Sequence, residues 1–132
     1  MGNRVVFNGR ETYLLKGGKV IKLPPLLFVF YVHLSESKLS RKALDADFIK
    51  ALIRKYEQLV GYDGFFERLL SSNRNTTELF DQCKSKCNRI LKAHHCTQAQ
   101  LIGRVAQVDN HYLYSIKEPL PYAAPKLSAK SA

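Results

Sequence analysis

The chain has 132 residues, 45% of them apolar and 24% charged, which describes one ordinary globular domain and is too short to divide into two cores. Its 21 Lys and Arg against 11 Asp and Glu leave a net charge of +10, favouring a polyanionic partner through phosphate neutralisation and counterion release. No apolar run reaches the ~20 residues of a membrane span, the start lacks the cationic-then-apolar order of a secretory signal, and the three cysteines are expected to be reduced thiols in the cytoplasm.

Residues 5–7 (VVF) form the first strand candidate, followed by the Asn8-Gly9 turn signal. Residues 11–16 (ETYLLK) and 19–23 (KVIKL) flank Gly17-Gly18, a two-residue connection suited to a primed turn. The N-terminus is therefore expected to be a small antiparallel sheet. Pro24 and Pro25 stop the second strand and pre-set φ for a first helical turn. A helix over 26–37 follows, apolar nearly all round, with Leu27, Phe30, Tyr31 and Leu34 on its densest side. It is expected to be the central core helix.

Residues 38–44 read as a basic linker. Asp45 caps the next helix, along which Phe48, Ile49, Leu52, Tyr56, Leu59 and Val60 recur at helical spacing until Gly61 stops it. A short helix over 65–70 follows the Asp63-Gly64 turn, and residues 71–75 form a polar turn. Short helix, tight polar turn and longer basic helix is the order of a helix-turn-helix unit.

The longer helix spans residues 75–95, NTTELFDQCKSKCNRILKAHH. Asn75 stands three residues ahead of Glu78, in the manner of a capping box. At 100° per residue, Phe80, Cys83, Cys87, Ile90, Leu91 and His94 share one apolar stripe. The other side carries Gln82, Ser85, Lys86, Asn88, Arg89 and Lys92, with no acid after Asp81. A helix that buries one side and offers amides, a hydroxyl and three cations on the other has the composition of a nucleic-acid reader; the bland reading is a solvated face. Membrane insertion is not expected, because the basic side lacks an exposed apolar partner face.

Residues 101–105 and 112–116 then form a hairpin around QVDNH, where Asp109-Asn110 tolerate positive φ. Following a recognition-type helix, it would act as a wing carrying Arg104 and His111. From Glu118 onward, Pro119, Pro121 and Pro125 precede a Ser/Ala/Lys end. The expected division is thus a domain over 1–118 and a peripheral extended tail over 119–132.

The order of sheet, core helix, helix pair with a basic second member and terminal hairpin resembles the winged-helix effector domain of the OmpR/PhoB class. KVIKLPPLLFVFYVHL stands where that class has its last N-terminal strand and first helix, TELFDQCKSKCNRILKAH at its recognition helix, and QLIGRVAQVDNHYLYSI at its wing. The connection between first and basic helices is longer here, and the wing lacks the Gly-x-Gly-Tyr turn. A closer likeness is to the C-terminal winged helix of CRISPR-associated proteins built on a CARF or ring-nuclease domain, through LPPLLFVFYVHL, RKYEQLVG, CKSKCNRILKAH and LIGRVAQVDNHYLYSIKEP. The resemblance implies an α+β winged helix-turn-helix with a small N-terminal antiparallel sheet, a helical core and a C-terminal β-hairpin wing. It also implies an excised domain or stand-alone relative, without the cyclic-oligoadenylate site of the Rossmann part.

Other chemistries compete with this reading. Cys83 and Cys87, with His94, His95 and Cys96 beyond, can be drawn as a metal cluster. However, both thiols lie on the apolar stripe and no Cys-x-x-Cys pair exists, so core packing is expected and no metal. Arg89 and His94 have the Arg-x4-His spacing of HEPN ribonucleases. A continuous helix would place them about 140° apart, and the hairpin signals oppose an all-helical fold. His33 reads as a core histidine, and Asp45 and Asp47 as helix-start acids. No phosphate loop, dinucleotide fingerprint or nucleophile elbow is present, so neither a catalytic residue nor a cofactor is expected.

The expected function is non-enzymatic binding of duplex DNA as a regulatory part of a CRISPR-linked protein. Lys86, Arg89 and Lys92 would contact phosphates or guanine edges, and Gln82, Ser85 and Asn88 would read bases. Arg74 and Arg104 would hold the flanking backbone. The alternative is a protein-interaction module, forming a homodimer or docking on an attached CARF domain, since fold does not decide function.

Overall fold

The computed structural model describes residues 12–40, 42, 44, 46–61, 64, 68, 70 and 75–123. Within these the protein is α+β: three helices of 12, 14 and 18 residues and two three-stranded sheets, each with all its pairings antiparallel. The strand expected at 5–7, the cap at Asp45 and the turn at 71–74 lie outside the described residues, as does most of the short helix expected at 65–70.

Strands β1 (Tyr13–Lys16) and β2 (Lys19–Lys22) form the expected hairpin. Gly17 and Gly18 take φ of 54° and 82°, the left-handed pair that a primed two-residue turn requires. The register sets Leu14 opposite Ile21, and both are buried. Thr12 extends the pairing: Leu23 N–H donates to its carbonyl at 3.1 Å, and its buried hydroxyl donates to the Leu23 carbonyl at 2.6 Å.

Helix α1 (Pro25–Glu36) starts with Pro25 at its first position, where the missing N–H costs nothing. Seven of its residues, Leu27 to Val32 and Leu34, are buried, so it is the central helix that its all-round apolarity predicts. Phe30 packs edge-on against Phe48 and Phe80 at 6.2 and 5.3 Å between ring centres. Helix α2 (Ala46–Leu59) buries Phe48, Ile49, Leu52, Tyr56 and Leu59, the periodic set of the sequence. Gly61, at φ 132°, ends it.

The linker expected at 38–44 contains a strand. β3 (Leu39–Ser40) pairs with β5 (His111–Ser115), which also pairs with β4 (Gly103–Val108), giving the order β3-β5-β4. Two residues are too few to show a period, and only the partner strand makes them a strand. Asp109 and Asn110, at φ 49° and 66°, close the β4–β5 hairpin as expected.

The boundary expected after Glu118 also needs correction. Leu120 is buried, and β6 (Tyr122–Ala123) adds to β1, completing the order β2-β1-β6. The Tyr31 hydroxyl ties α1 to two later segments: it donates to the Gln100 carbonyl at 2.9 Å and accepts from Leu120 N–H at 3.2 Å. Tyr122 meets Phe28 edge-on at 5.7 Å. The prolines at 119 and 121 exclude helix but allow extended chain, and Leu120 and Tyr122 supply the apolar contacts that dock it.

Candidate nucleic-acid interface

Helix α3 (Thr76–Ala93) carries the candidate interface. Its start is set by Asn75, whose side-chain oxygen accepts from Glu78 N–H at 2.8 Å, one half of a capping box. Its end is a Schellman arrangement. His95 takes φ 61°, its N–H donates to the Lys92 carbonyl at 3.0 Å, and Cys96 N–H donates to the Leu91 carbonyl at 3.1 Å. From β1, the Lys16 ammonium donates to the carbonyls of His94 and His95 at 3.0 and 3.1 Å. A cation there complements the negative end of the helix dipole.

Leu79, Phe80, Cys83, Cys87 and Leu91 form the buried side of α3. Phe80 is the largest of these, its ring centre 5.3 Å from that of Phe30, 6.3 Å from Phe48 and 5.4 Å from Tyr114. Cys87 donates its thiol to the Leu27 carbonyl at 3.4 Å. Burial pushes the Cys83 thiol up to about 12 and Cys87 well above the ordinary thiol value. Such thiols are packing groups rather than nucleophiles. Among the described residues no group of three or more His, Cys, Asp or Glu is placed to hold a metal ion. His94, expected on the apolar stripe, is instead the exposed residue that caps the helix end.

The outer side exposes Gln82, Ser85, Lys86, Arg89 and Lys92. No hydrogen bond or ion pair ties these five side chains to a described residue, so the face is unspent. Asn88 differs from them. It is half-buried, its amide donates to the Ile102 carbonyl at 3.0 Å, and its oxygen accepts from Ile102 N–H at 3.0 Å. That side chain copies a strand partner for the residue just before β4, so it positions the hairpin instead of facing outward. Arg74 lies outside the described residues.

Arg104 is exposed on β4. Its guanidinium lies 4.0 Å over the Tyr112 ring, and its Nε–H donates to the Tyr114 hydroxyl at 3.3 Å. That hydrogen bond raises the Arg104 pKa further above its ordinary value. His111 opposite Val108 opens β5, and its Nδ1 is buried with no partner among the described residues.

The Arg104 seat was not legible in the sequence. A regular ladder running back from the 109–110 turn pairs 108 with 111, 107 with 112, 106 with 113 and then 105 with 114. The register instead shifts between Arg104 and Ala106, so Arg104 opposes Tyr114. Bulges of this kind have weak sequence signatures unless a glycine marks them. Comparison with protein-family models, curated proteins and solved structures finds no match for this chain.

Proposed function

We propose that the protein is a winged-helix nucleic-acid-binding module that reads duplex DNA with α3 and steadies the flanking backbone with the β4–β5 hairpin. The observation that carries this reading is the division of α3. One side is sealed into the core by five residues, while Lys86, Arg89 and Lys92, with Gln82 and Ser85 between them, stand exposed and unpaired among the described residues. Such a surface offers phosphate-neutralising cations and groups able to contact base edges along one rod. The excess of ten positive charges supplies long-range attraction.

Support for the winged-helix arrangement comes from strand order. β3, which follows α1, pairs with β5, and the hairpin follows α3 after a single 3-10 turn, Gln98–Gln100. A regulatory role in a CRISPR-linked protein rests on the sequence resemblance alone.

The test is an electrophoretic shift series at rising salt with duplex DNA, single strands and RNA. Replacing Arg89→Glu and Lys92→Glu together should abolish binding and flatten its salt dependence. Both residues are exposed, so the variant should fold. Binding by the double variant equal to that of the native chain would refute the assignment.

A further inference from the structure

Beside β3 and the hairpin lies a hollow of about 200 Å³, lined by Ser40, Lys42, Arg104, Asn110, Tyr112 and Tyr114. Among the described residues two cations line it and no carboxylate does. Gathering like charges is unfavourable, and a bound anion reverses the sign of that energy.

Arg104 reaches this hollow only because of the bulge in β4. In a regular ladder it would oppose Ser115 and point to the other face of the sheet; the shift places it across from Tyr114. Bulges spend a ladder position to re-aim a side chain. The re-aimed guanidinium is then fixed twice, by the Tyr112 ring beneath it and by the Tyr114 hydroxyl at its Nε–H. Tyr114 is itself buried and braced edge-on by Phe80. Among the described residues only Nε–H is used, so the four Nη hydrogens remain as a fork, the geometry suited to phosphate oxygens. Ser40 adds a buried hydroxyl that has no hydrogen-bond partner among the described residues, an unspent donor where buried groups are ordinarily satisfied.

We propose that this hollow binds a phosphate monoester carried on a nucleotide, with the 5′ end of a nucleic-acid strand as its source. A monoester brings nearly two negative charges and three terminal oxygens, matching two cations and several neutral donors in a concave site. A backbone diester brings one charge and two free oxygens. Arg104 supplies the fork, Lys42 the second charge, and Ser40 and Asn110 the neutral donors. The choice of a strand end rests on the nucleic-acid reading of α3, whereas the monoester chemistry rests on the hollow.

The experiment compares two duplexes, alike except for a 5′-phosphate or a 5′-hydroxyl, by fluorescence anisotropy with the full chain at fixed salt. The phosphorylated end should bind about tenfold tighter, the value of one charge-assisted fork. Arg104→Lys keeps the charge but loses the fork, and Lys42→Gln removes the second charge from a different segment. Each should bring the ratio towards one. Deoxyadenosine monophosphate, and not deoxyadenosine, should compete away the preference. Equal affinity for both ends, or a ratio that neither variant changes, overturns the proposal. Salt-dependent duplex binding with no end preference sinks the hollow and leaves the α3 interface standing. Titration by the monophosphate without duplex binding keeps the monoester site, assigns it to free nucleotides, and sinks the α3 reading.

Discussion

Asn88 on α3 and Ile102 at the entry to β4 are joined by two hydrogen bonds of 3.0 Å, one in each direction. The side-chain amide thereby satisfies both backbone groups of a buried residue, and a helix expected to read outward also fixes the hairpin that follows it. Asn88→Ala leaves the Ile102 N–H and carbonyl unpaired, which should cost about 1–3 kcal/mol. Asn88→Asp keeps the acceptor and loses the donor, so it should fall between. Urea denaturation of the three proteins measures this. Equal midpoints would mean that water replaces the amide without loss.

Local signals account for most of what the sequence reveals here. Gly17-Gly18 and Asp109-Asn110 announce their hairpins through positive φ. Pro24-Pro25 announces the start of α1, and the 3.6 period of Phe48, Ile49, Leu52, Tyr56 and Leu59 announces α2. What stayed hidden depends on a distant partner. β3 and β6 are two residues each, the Asn88 amide meets a backbone 14 residues away, and the bulge that aims Arg104 follows from pairing rather than composition. The amphipathic pattern identifies the outer face of α3, but cannot tell an outward amide from one turned towards the next strand.

His33 is half-buried beside Phe48, with ring centres 6.2 Å apart. Burial, and then the Lys55 cation, push its pKa below the ordinary 6.5, against a smaller opposing effect of Glu36. Lys55 and Glu36 are themselves ion-paired. The folded state therefore resists protonation of His33. Above pH ~6.5 the imidazole is neutral folded and unfolded, and its contribution is intact. As pH falls below that value the unfolded chain takes up the proton first, and stability declines until the folded pKa is passed. Urea midpoints from pH 7.5 to 5 should fall more steeply for the native chain than for His33→Gln; parallel slopes would remove His33 from the account.

The three thiols should divide by accessibility. Burial raises Cys83 to about 12 and Cys87 well above its ordinary value, while Cys96 is only half-buried and Lys16 opposes its upward shift. Reaction follows the thiolate and its exposure. A disulfide reagent at pH 8 should therefore label one thiol early, and Cys96→Ser should remove that phase. The remaining two should wait on unfolding. Two fast equivalents would contradict the packing of α3.

His95 holds φ 61° at the helix end, where glycine is the usual occupant. His95→Gly relieves the side-chain clash but gives the unfolded chain more freedom, so a net gain of at most about 1 kcal/mol is expected. His95→Val, branched at Cβ, should lose more than that gain. Lys16→Met tests the same terminus from outside and should cost about 0.3–1 kcal/mol at low salt, less when salt is added. Thermal melts of the three variants check the signs. A destabilised glycine variant would show that the imidazole itself stabilises the terminus.

Phe80 and Tyr114, 5.4 Å apart and edge-to-face, connect the buried side of α3 to the hairpin that carries Arg104. Phe80→Ala should cost about 3–5 kcal/mol, a large share of the ~5–15 kcal/mol of a whole domain. Milder changes are therefore needed to isolate the pair. A double-mutant cycle with Phe80→Leu and Tyr114→Leu should return a coupling of about 0.5–1.5 kcal/mol beyond the area lost by each ring. Because Tyr114 also accepts from Arg104, Tyr114→Phe should leave the ring contact with Phe80 in place and release the guanidinium. A cycle with no coupling would mean that α3 and the hairpin share surface but not geometry, and that Tyr112 and the Tyr114 hydroxyl seat Arg104 without help from Phe80.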